Sequence, residues 1–108
     1  ASLSARVGSI GDNELGGWYG YRASKAAHNM FLRTAAVELA RYNRQAIVLS
    51  LHPGTTDTGL SQPFQSRVPE GKLFTPDFVA ERLLAVMEDR RPDESGSFWD
   101  WAGKPIPF

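Results

Sequence analysis

A long stretch without helix-breaking residues, followed by a short buried-strand pattern, is the feature that most limits how this chain folds. Residues 19–42 contain no proline and, after Gly20, no glycine, while alanine and larger apolar residues recur along them. This pattern predicts one long helix with a broad apolar face. Residues 46–51 then form an almost continuous apolar run, which is typical of a strand buried on both faces of a parallel sheet.

The remaining segments continue the alternation of strands and helices. Residues 1–5 are interpreted as the end of a strand, and the polar stretch 55–73, which has no clear period, predicts a long loop. Thr75, Pro76 and Asp77 supply the N-cap, the proline and the first-turn acid of a helix start. Residues 97–101 predict a last short strand. This order favours an α/β fold built on a parallel sheet.

Composition excludes several classes of function. The chain has 108 residues, 12 basic and 12 acidic side chains and therefore a formal net charge of zero, which argues against nucleic-acid binding. It has no cysteine and two histidines, so we predict no metal site. No apolar run is long enough to span a bilayer and no signal-peptide pattern opens the chain, so we expect no membrane partner and a cytoplasmic location.

Tyr21 and Lys25 are the candidate catalytic pair. On a helix, residues four apart lie on one face with Cβ atoms ~5–6 Å from each other. An ammonium group beside a phenol stabilises the phenolate, so the tyrosine can donate a proton to a carbonyl or take one from an alcohol. The same spacing is also common in ordinary surface pairs. Tyr19 lies on a different helical face, and we interpret it as a packing aromatic at the helix entrance.

The residues around this pair resemble a known family. The stretches SARVGSI at 4–10, GGWYGYRASKAA at 16–27 and HPGTTDT at 52–58 resemble the short-chain dehydrogenase/reductase family, in its C-factor and sniffer-like carbonyl reductase branch. The resemblance implies a Rossmann-like, doubly wound α/β fold of which residues 1–108 form the C-terminal half. It also implies an oxidoreductase that moves a hydride between a nicotinamide cofactor and a small carbonyl or alcohol substrate.

The resemblance further implies roles for individual residues. Tyr21 would be the general acid/base, and Lys25 would stabilise its phenolate and hold the nicotinamide ribose. Pro53 and Gly54 would form the turn beneath the nicotinamide, and Thr56 and Thr58 would also contact the cofactor. NADP is favoured over NAD by the likeness to carbonyl reductases alone.

The substrate side of the site is less well defined by the motifs. Ser4 is taken as the hydroxyl that polarises the substrate, with Ser9 as its rival, because Ala5 occupies the position of the family's serine. An equal alternative is that both serines cap backbone groups of a loop. The loop 59–74 would cover the substrate. Its candidate apolar contacts are Leu60, Phe64 and Val68.

Several family elements are absent from the sequence. There is no glycine-rich dinucleotide-binding turn, no selector for the adenosine ribose and no family asparagine motif. We therefore expect the chain to be a fragment that is inactive alone, and the helix at 19–42 permits a homodimer of the intact protein. A non-catalytic nucleotide-binding or signalling protein on the same fold is the alternative that Ala5 leaves open. A standalone interaction module is a third.

Overall fold

The computed structural model describes residues 1–59, 62–68, 71 and 73–108. Within them lie two α-helices and five short strands. In chain order they are β1 (Ser2–Leu3), α1 (Tyr19–Ala40), β2 (Leu49–His52), β3 (Thr55–Thr56), β4 (Leu73–Phe74), α2 (Pro76–Glu88) and β5 (Ser97–Asp100). Short 3-10 helices cover Arg6–Gly8, Gln62–Arg67 and Pro92–Glu94.

Three of the strands form the central sheet, in the order β1-β2-β5, and both pairs are parallel. Ser2, Ser50 and Phe98 form one row across the sheet, and the next row, Leu3, Leu51 and Trp99, points to the opposite face. A helix connects β1 to β2, and another connects the β2 region to β5. The predicted α/β fold with a parallel sheet is confirmed.

Helix α1 packs on the face of the sheet that carries Ser2, Ser50 and Phe98. The Oγ atom of Ser2 lies 3.0 Å from Nε2 of His28 on α1. At the start of β5, a Cβ atom on Gly96 would lie 3.1 Å from Cβ of Ala36. Serine and glycine at these sheet positions therefore let the helix lie close to the sheet.

Helix α2 covers the opposite face and builds the main core there. It begins as predicted, because the side chain of Thr75 accepts a hydrogen bond from the backbone N–H of Phe78 at 3.2 Å. The core cluster consists of Leu49, Leu51, Val79, Leu83 and Val86, with Ile47, Phe74, Trp99 and Trp101 packed against it. Helices on both faces of a parallel sheet make this a doubly wound arrangement.

The structure corrects the predictions for three segments of the chain. Helix α1 ends at Ala40 rather than 42, and β2 covers Leu49–His52 rather than 46–51. Val48 does not join the strand because its N–H donates to Oγ of Ser95 at 2.9 Å. The stretch 55–73 is not purely a loop: β3 and β4 pair as a two-stranded parallel ladder within and beside it.

Candidate active site

The topology places both parts of the predicted site at one edge of the sheet. Because the three strands are parallel, their carboxyl ends lie together, and open parallel sheets bind ligands at this edge. The chain leaving β1 passes through the 3-10 helix Arg6–Gly8 toward the start of α1, and the chain leaving β2 continues into Pro53 and Gly54. The candidate pair Tyr21 and Lys25 and the Pro-Gly turn thus belong to the same edge.

Tyr21 and Lys25 lie in the first two turns of α1, on one face of the helix. The Nζ atom of Lys25 is 5.9 Å from the centroid of the Tyr21 ring. Tyr21 is 47% exposed and Lys25 is half-buried, so the phenol is accessible while the ammonium is partly shielded. The packing role predicted for Tyr19 is wrong in this chain, because its side chain is 88% exposed.

The entrance to α1 has an unusual backbone. Gly16, Gly17 and Trp18 all adopt left-handed conformations, with φ values of 69°, 72° and 58°. Arg22 braces this turn, because its Nε and Nη2 atoms donate to the carbonyls of Gly17 and Gly16 at 2.9 and 3.1 Å. A left-handed tryptophan costs about 1–2 kcal/mol of backbone strain.

Trp18 and Arg22 were not among the site residues predicted from the sequence. The centroid of the Trp18 ring lies 6.1 Å from that of Tyr21, in an edge-on arrangement. Two glycines directly before a helix that lacks a capping side chain were the available sequence signal, since such a pair indicates left-handed backbone.

The 3-10 helix Arg6–Gly8 packs directly against α1. A Cβ atom placed on Gly8 would lie 2.7 Å from Cβ of Lys25 and 2.8 Å from its carbonyl carbon. Only glycine allows this approach, because real Cβ atoms do not come so close to other heavy atoms. In addition, Nη1 of Arg22 donates to the carbonyl of Val7 at 3.4 Å. The position of Lys25 therefore depends on this 3-10 helix.

Ser4 is buried against α1. Its Oγ atom donates to Oδ1 of Asn29 at 2.6 Å, and both residues are buried. Asn29 stands four residues after Lys25 and so continues the helical face of Tyr21 and Lys25. The sequence interpretation missed Asn29, although this repeated spacing of four was visible. The substrate-polarising role of Ser4 stays a prediction, because its hydroxyl hydrogen is used by Asn29 in this structure.

Ser9, the rival serine, is held by the C-terminal segment. Its Oγ atom donates to the carbonyl of Pro107 and accepts a hydrogen bond from the N–H of Asp12 at 3.1 Å. The backbone N–H groups of Ile10 and Gly11 both donate to the carbonyl of Phe108, at 2.8 and 3.1 Å. Ser9 thus ties the loop before α1 to the end of the chain.

His52 lies at the junction between β2, the 3-10 helix and β5. Its Nδ1 atom accepts a hydrogen bond from the N–H of Arg6 at 3.2 Å, so the ring helps to hold the 3-10 helix against the end of β2. Arg6 in turn pairs with Asp100 at 3.0 Å and with Asp12 at 3.4 Å. Burial, followed by the positive charge of Arg6, lowers the pKa of His52 from 6.5 to about 4, so the ring is neutral at pH 7.

The predicted cofactor turn follows β2. Gly54 has a φ of +74°, and a Cβ atom there would lie 2.7 Å from Cε2 of Phe74, so this position requires glycine. Thr56 pairs with Phe74 in the β3–β4 ladder. Thr58 is exposed, and its carbonyl accepts a hydrogen bond from the N–H of Gln62 at 3.1 Å.

The predicted substrate loop at 59–74 is only partly described. Leu60 lies outside the described residues, and Phe64 falls within the 3-10 helix Gln62–Arg67. Val68 is half-buried, and its N–H donates to the carbonyl of Gln65 at 3.1 Å. The roles of these three residues stay predictions.

Neither a metal-binding cluster nor a membrane-spanning helix lies in the described part of the chain. Within residues 1–59, 62–68, 71 and 73–108, no group of three or more potential ligands could hold a metal ion. No helix among the same residues has the length and apolarity needed to cross a bilayer.

Comparison with known protein sequences gives consistent matches. A family model described as short chain dehydrogenase matches residues 6–69. The C-signal protein of Myxococcus xanthus is 34% identical over 108 residues, which is all of this chain and 60% of that protein. The 1-hydroxy-2-glutathionyl-2-methyl-3-butene dehydrogenase of Rhodococcus sp. strain AD45 is 38% identical over 96 residues, or 89% of this chain and 40% of that protein.

A solved structure shares the same fold. The NADPH-bound carbonyl reductase from chicken fatty liver superposes with a TM-score of 0.81 at 28% identity, over 98% of this chain and 41% of that protein. The chain therefore spans roughly half the length of the proteins that it matches.

Proposed function

Because the chain belongs to the short-chain dehydrogenase family, we propose that it forms the proton-transfer half of an NAD(P)-dependent oxidoreductase acting on a small carbonyl or alcohol. The observation that carries this proposal is the geometry of the Tyr21 and Lys25 pair. A half-exposed phenol lies beside a partly buried ammonium, at the carboxyl edge of a parallel sheet. Relatives and neighbours named as a dehydrogenase and a carbonyl reductase support it.

The proposed chemistry divides between the chain and the cofactor. In the direction of reduction, the Tyr21 hydroxyl donates a proton to the carbonyl oxygen of the substrate, and Lys25 stabilises the phenolate that results. In the direction of oxidation, the phenolate takes the proton from the alcohol. When bound, the nicotinamide supplies or accepts the hydride.

The residues present fit such a cofactor. A hydroxyl and an ammonium suit the diol of a ribose, and both lie at the edge where parallel sheets bind nucleotides. In the proposed complex Lys25 holds the ribose, while Pro53 and Gly54, with Thr56 and Thr58, line the cofactor. NADP is the favoured form, supported by the NADPH held by the chicken carbonyl reductase.

Other parts of the proposal rest on the family alone. In this proposal Ser4 polarises the substrate, and residues 1–108 form the C-terminal half of one Rossmann-like domain. The intact protein forms a homodimer through the helix at 19–42 and is located in the cytoplasm. The missing dinucleotide-binding motifs support the further expectation that residues 1–108 alone do not turn over substrate.

The test of the proposed function uses the full-length protein that carries this chain. Tyr21→Phe removes only the hydroxyl, and loss of general acid catalysis should lower kcat by roughly 10²–10⁴-fold in an NADPH-oxidation assay with a carbonyl substrate. Tyr19→Phe is the matched control, since its exposed hydroxyl two residues earlier should not affect turnover. A Tyr21→Phe protein with wild-type kcat contradicts the assignment.

A signalling function is the second candidate. It is favoured by the 34% identity to a relative named C-signal over the whole of this chain, and by Ala5 at the position of the family's serine. The two candidates differ in their response to Tyr21→Phe. A regulator retains its biological output in this variant, whereas an enzyme whose product is the output loses it.

A further inference from the structure

The indole of Trp18 stands beside the candidate acid/base. The rings of Trp18 and Tyr21 meet edge-on, with centroids 6.1 Å apart and planes inclined by 66°. Both side chains are about half exposed, at 55% and 47%. A substrate that presents its carbonyl oxygen to the Tyr21 hydroxyl therefore has a large aromatic surface within reach.

The position of this indole is fixed by the turn before α1. Trp18 is the N-cap residue of the helix and has a φ of +58°, which directs its side chain differently from a residue in the usual extended N-cap conformation. Arg22 donates to the carbonyls of Gly16 and Gly17, and its own N–H donates to the carbonyl of Trp18 at 2.8 Å. These three hydrogen bonds tie the three successive left-handed residues to Arg22, which lies in the first turn of α1.

A fixed indole favours one class of ligand over others. Aromatic rings gain from edge-on and offset-stacked contacts with one another, beyond the gain from apolar burial that any hydrocarbon obtains. An aliphatic chain of similar size would bury apolar surface against the indole but would gain nothing from aromatic contact geometry. The apolar side chains of Ile10 and Leu15 are also exposed on the loop before α1.

We propose that Trp18, held by Arg22, is the residue that determines substrate specificity at the Tyr21 site, and that it selects carbonyl compounds bearing an aromatic ring. This inference rests on the proposed function, because it assumes that Tyr21 protonates a carbonyl. Trp18 contacts the substrate in this proposal, whereas Arg22 is a positioning residue that acts through the turn.

The experiment compares two reducible probes on the full-length protein. 4-Nitrobenzaldehyde is the aromatic probe and hexanal the aliphatic one, each assayed by NADPH oxidation in the same preparation. The variants are Trp18→Asn, which removes the ring with a residue that tolerates left-handed backbone, and Trp18→Phe, which keeps an aromatic surface. Tyr19→Ala removes an exposed ring one residue away and is the matched control.

We expect Trp18→Asn to lower the ratio of kcat/KM for the aromatic over the aliphatic probe by roughly 10-fold, mainly through KM, and Trp18→Phe to lower it by less than about 3-fold. The KM for NADPH should not change. Because the ratio is taken within one preparation, it does not depend on the fraction of enzyme that is folded. Tyr19→Ala should leave the ratio at its wild-type value.

The possible failures are distinguishable. A wild-type protein that reduces both probes, with a ratio unchanged in Trp18→Asn, overturns the role of Trp18 and leaves the proposed function intact. A change of the same size in Tyr19→Ala also overturns it. A wild-type protein that reduces neither probe contradicts the proposed function, and the inference falls with it.

Discussion

At the scale of the residue, the entrance to α1 shows how backbone conformation prepares a site. Three successive residues from Gly16 to Trp18 are left-handed, and no heavy atom lies within 4 Å of a Cβ placed on either glycine. The glycines are therefore required by their φ angles and not by crowding. Trp18 is strained at this position, and its ring lies 6.1 Å from that of Tyr21.

Two glycine-to-alanine substitutions test whether the backbone conformation, and not crowding, requires glycine in this turn. Gly17→Ala should lower the free energy of unfolding by about 1 kcal/mol, because alanine is strained at a φ of +72°. Gly20→Ala, on the first turn of α1 with equally open surroundings, should raise it by about 0.5–1 kcal/mol. Urea unfolding of the full-length protein measures both. Equal effects of the two substitutions would show that the turn is not strained.

At the scale of the element, the 3-10 helix Arg6–Gly8 organises the site. Through Gly8 it lies against the backbone of Lys25, and through Arg6 it is tied to Asp100 at the end of β5 and to His52 at the end of β2. The carboxylate of Asp100 also accepts the N–H groups of Ala102 and Lys104 at 2.9 Å each. A buried acid thus joins the last strand to the segment that packs against α1.

Because Gly8 contacts Lys25, we expect Gly8→Ala to lower both the stability of the protein and its kcat. Gly8→Ala places a methyl group within 2.7 Å of Cβ of Lys25, and overpacking of this kind costs about 1–3 kcal/mol of unfolding free energy. Because the displaced residue is Lys25, kcat should fall as well.

The stability control for this variant is Gly59→Ala, since no atom of the described residues other than its chain neighbours lies within 4 Å of a Cβ on Gly59. It should leave the urea midpoint of the full-length protein unchanged. A Gly8→Ala protein that loses stability but keeps wild-type kcat would show that the 3-10 helix does not position Lys25.

At the scale of the whole molecule, the fold brings segments from both ends of the chain to one edge of the sheet. The loop at 9–11 is held by Pro107 and Phe108, and β5 supplies Asp100 to the network around His52. Much of the apolar surface of α1 is exposed in this chain, including Met30 and Phe31. The sheet core therefore depends mainly on α2, while α1 carries the candidate pair Tyr21 and Lys25.

The buried His52 predicts how the stability of the molecule depends on pH. Its folded-state pKa of about 4 is below the unfolded value of 6.5, so the unfolded state binds the additional proton between these values. The stabilisation is fully present above pH 6.5 and is lost as the pH falls toward 4. The loss amounts to about 3 kcal/mol at most.

His52→Asn tests this dependence, because the asparagine carbonyl can still accept the N–H of Arg6 but does not titrate. Urea unfolding of the full-length protein at pH 7, 6, 5 and 4 should give a flatter stability profile for the variant than for the wild type. Parallel profiles would mean that His52 is not the group responsible.

The fold class could be predicted from the sequence because its signals are local. The pattern of the helix at 19–42, the helix start at Thr75 and the last strand need only neighbouring residues, and all three were found. The β3–β4 ladder was missed because two-residue strands leave no period, and their pairing joins residues that are 18 apart in the chain. The start of β2 could not be predicted because it depends on distant residues: the N–H of Val48 donates to Oγ of Ser95, and its carbonyl accepts the N–H of Gly96.

The sequence by itself determined the parallel α/β fold and the placement of Tyr21 and Lys25 on one helical face, because periodicity and a spacing of four on a helix depend only on local geometry. Tertiary structure alone decided the partners of Ser4 and Ser9, the burial of His52 and the position of Trp18 beside Tyr21. The first three depend on chain segments far apart in sequence, which only packing brings together. The position of Trp18 depends on a left-handed turn whose hydrogen bonds to Arg22 become visible only in three dimensions.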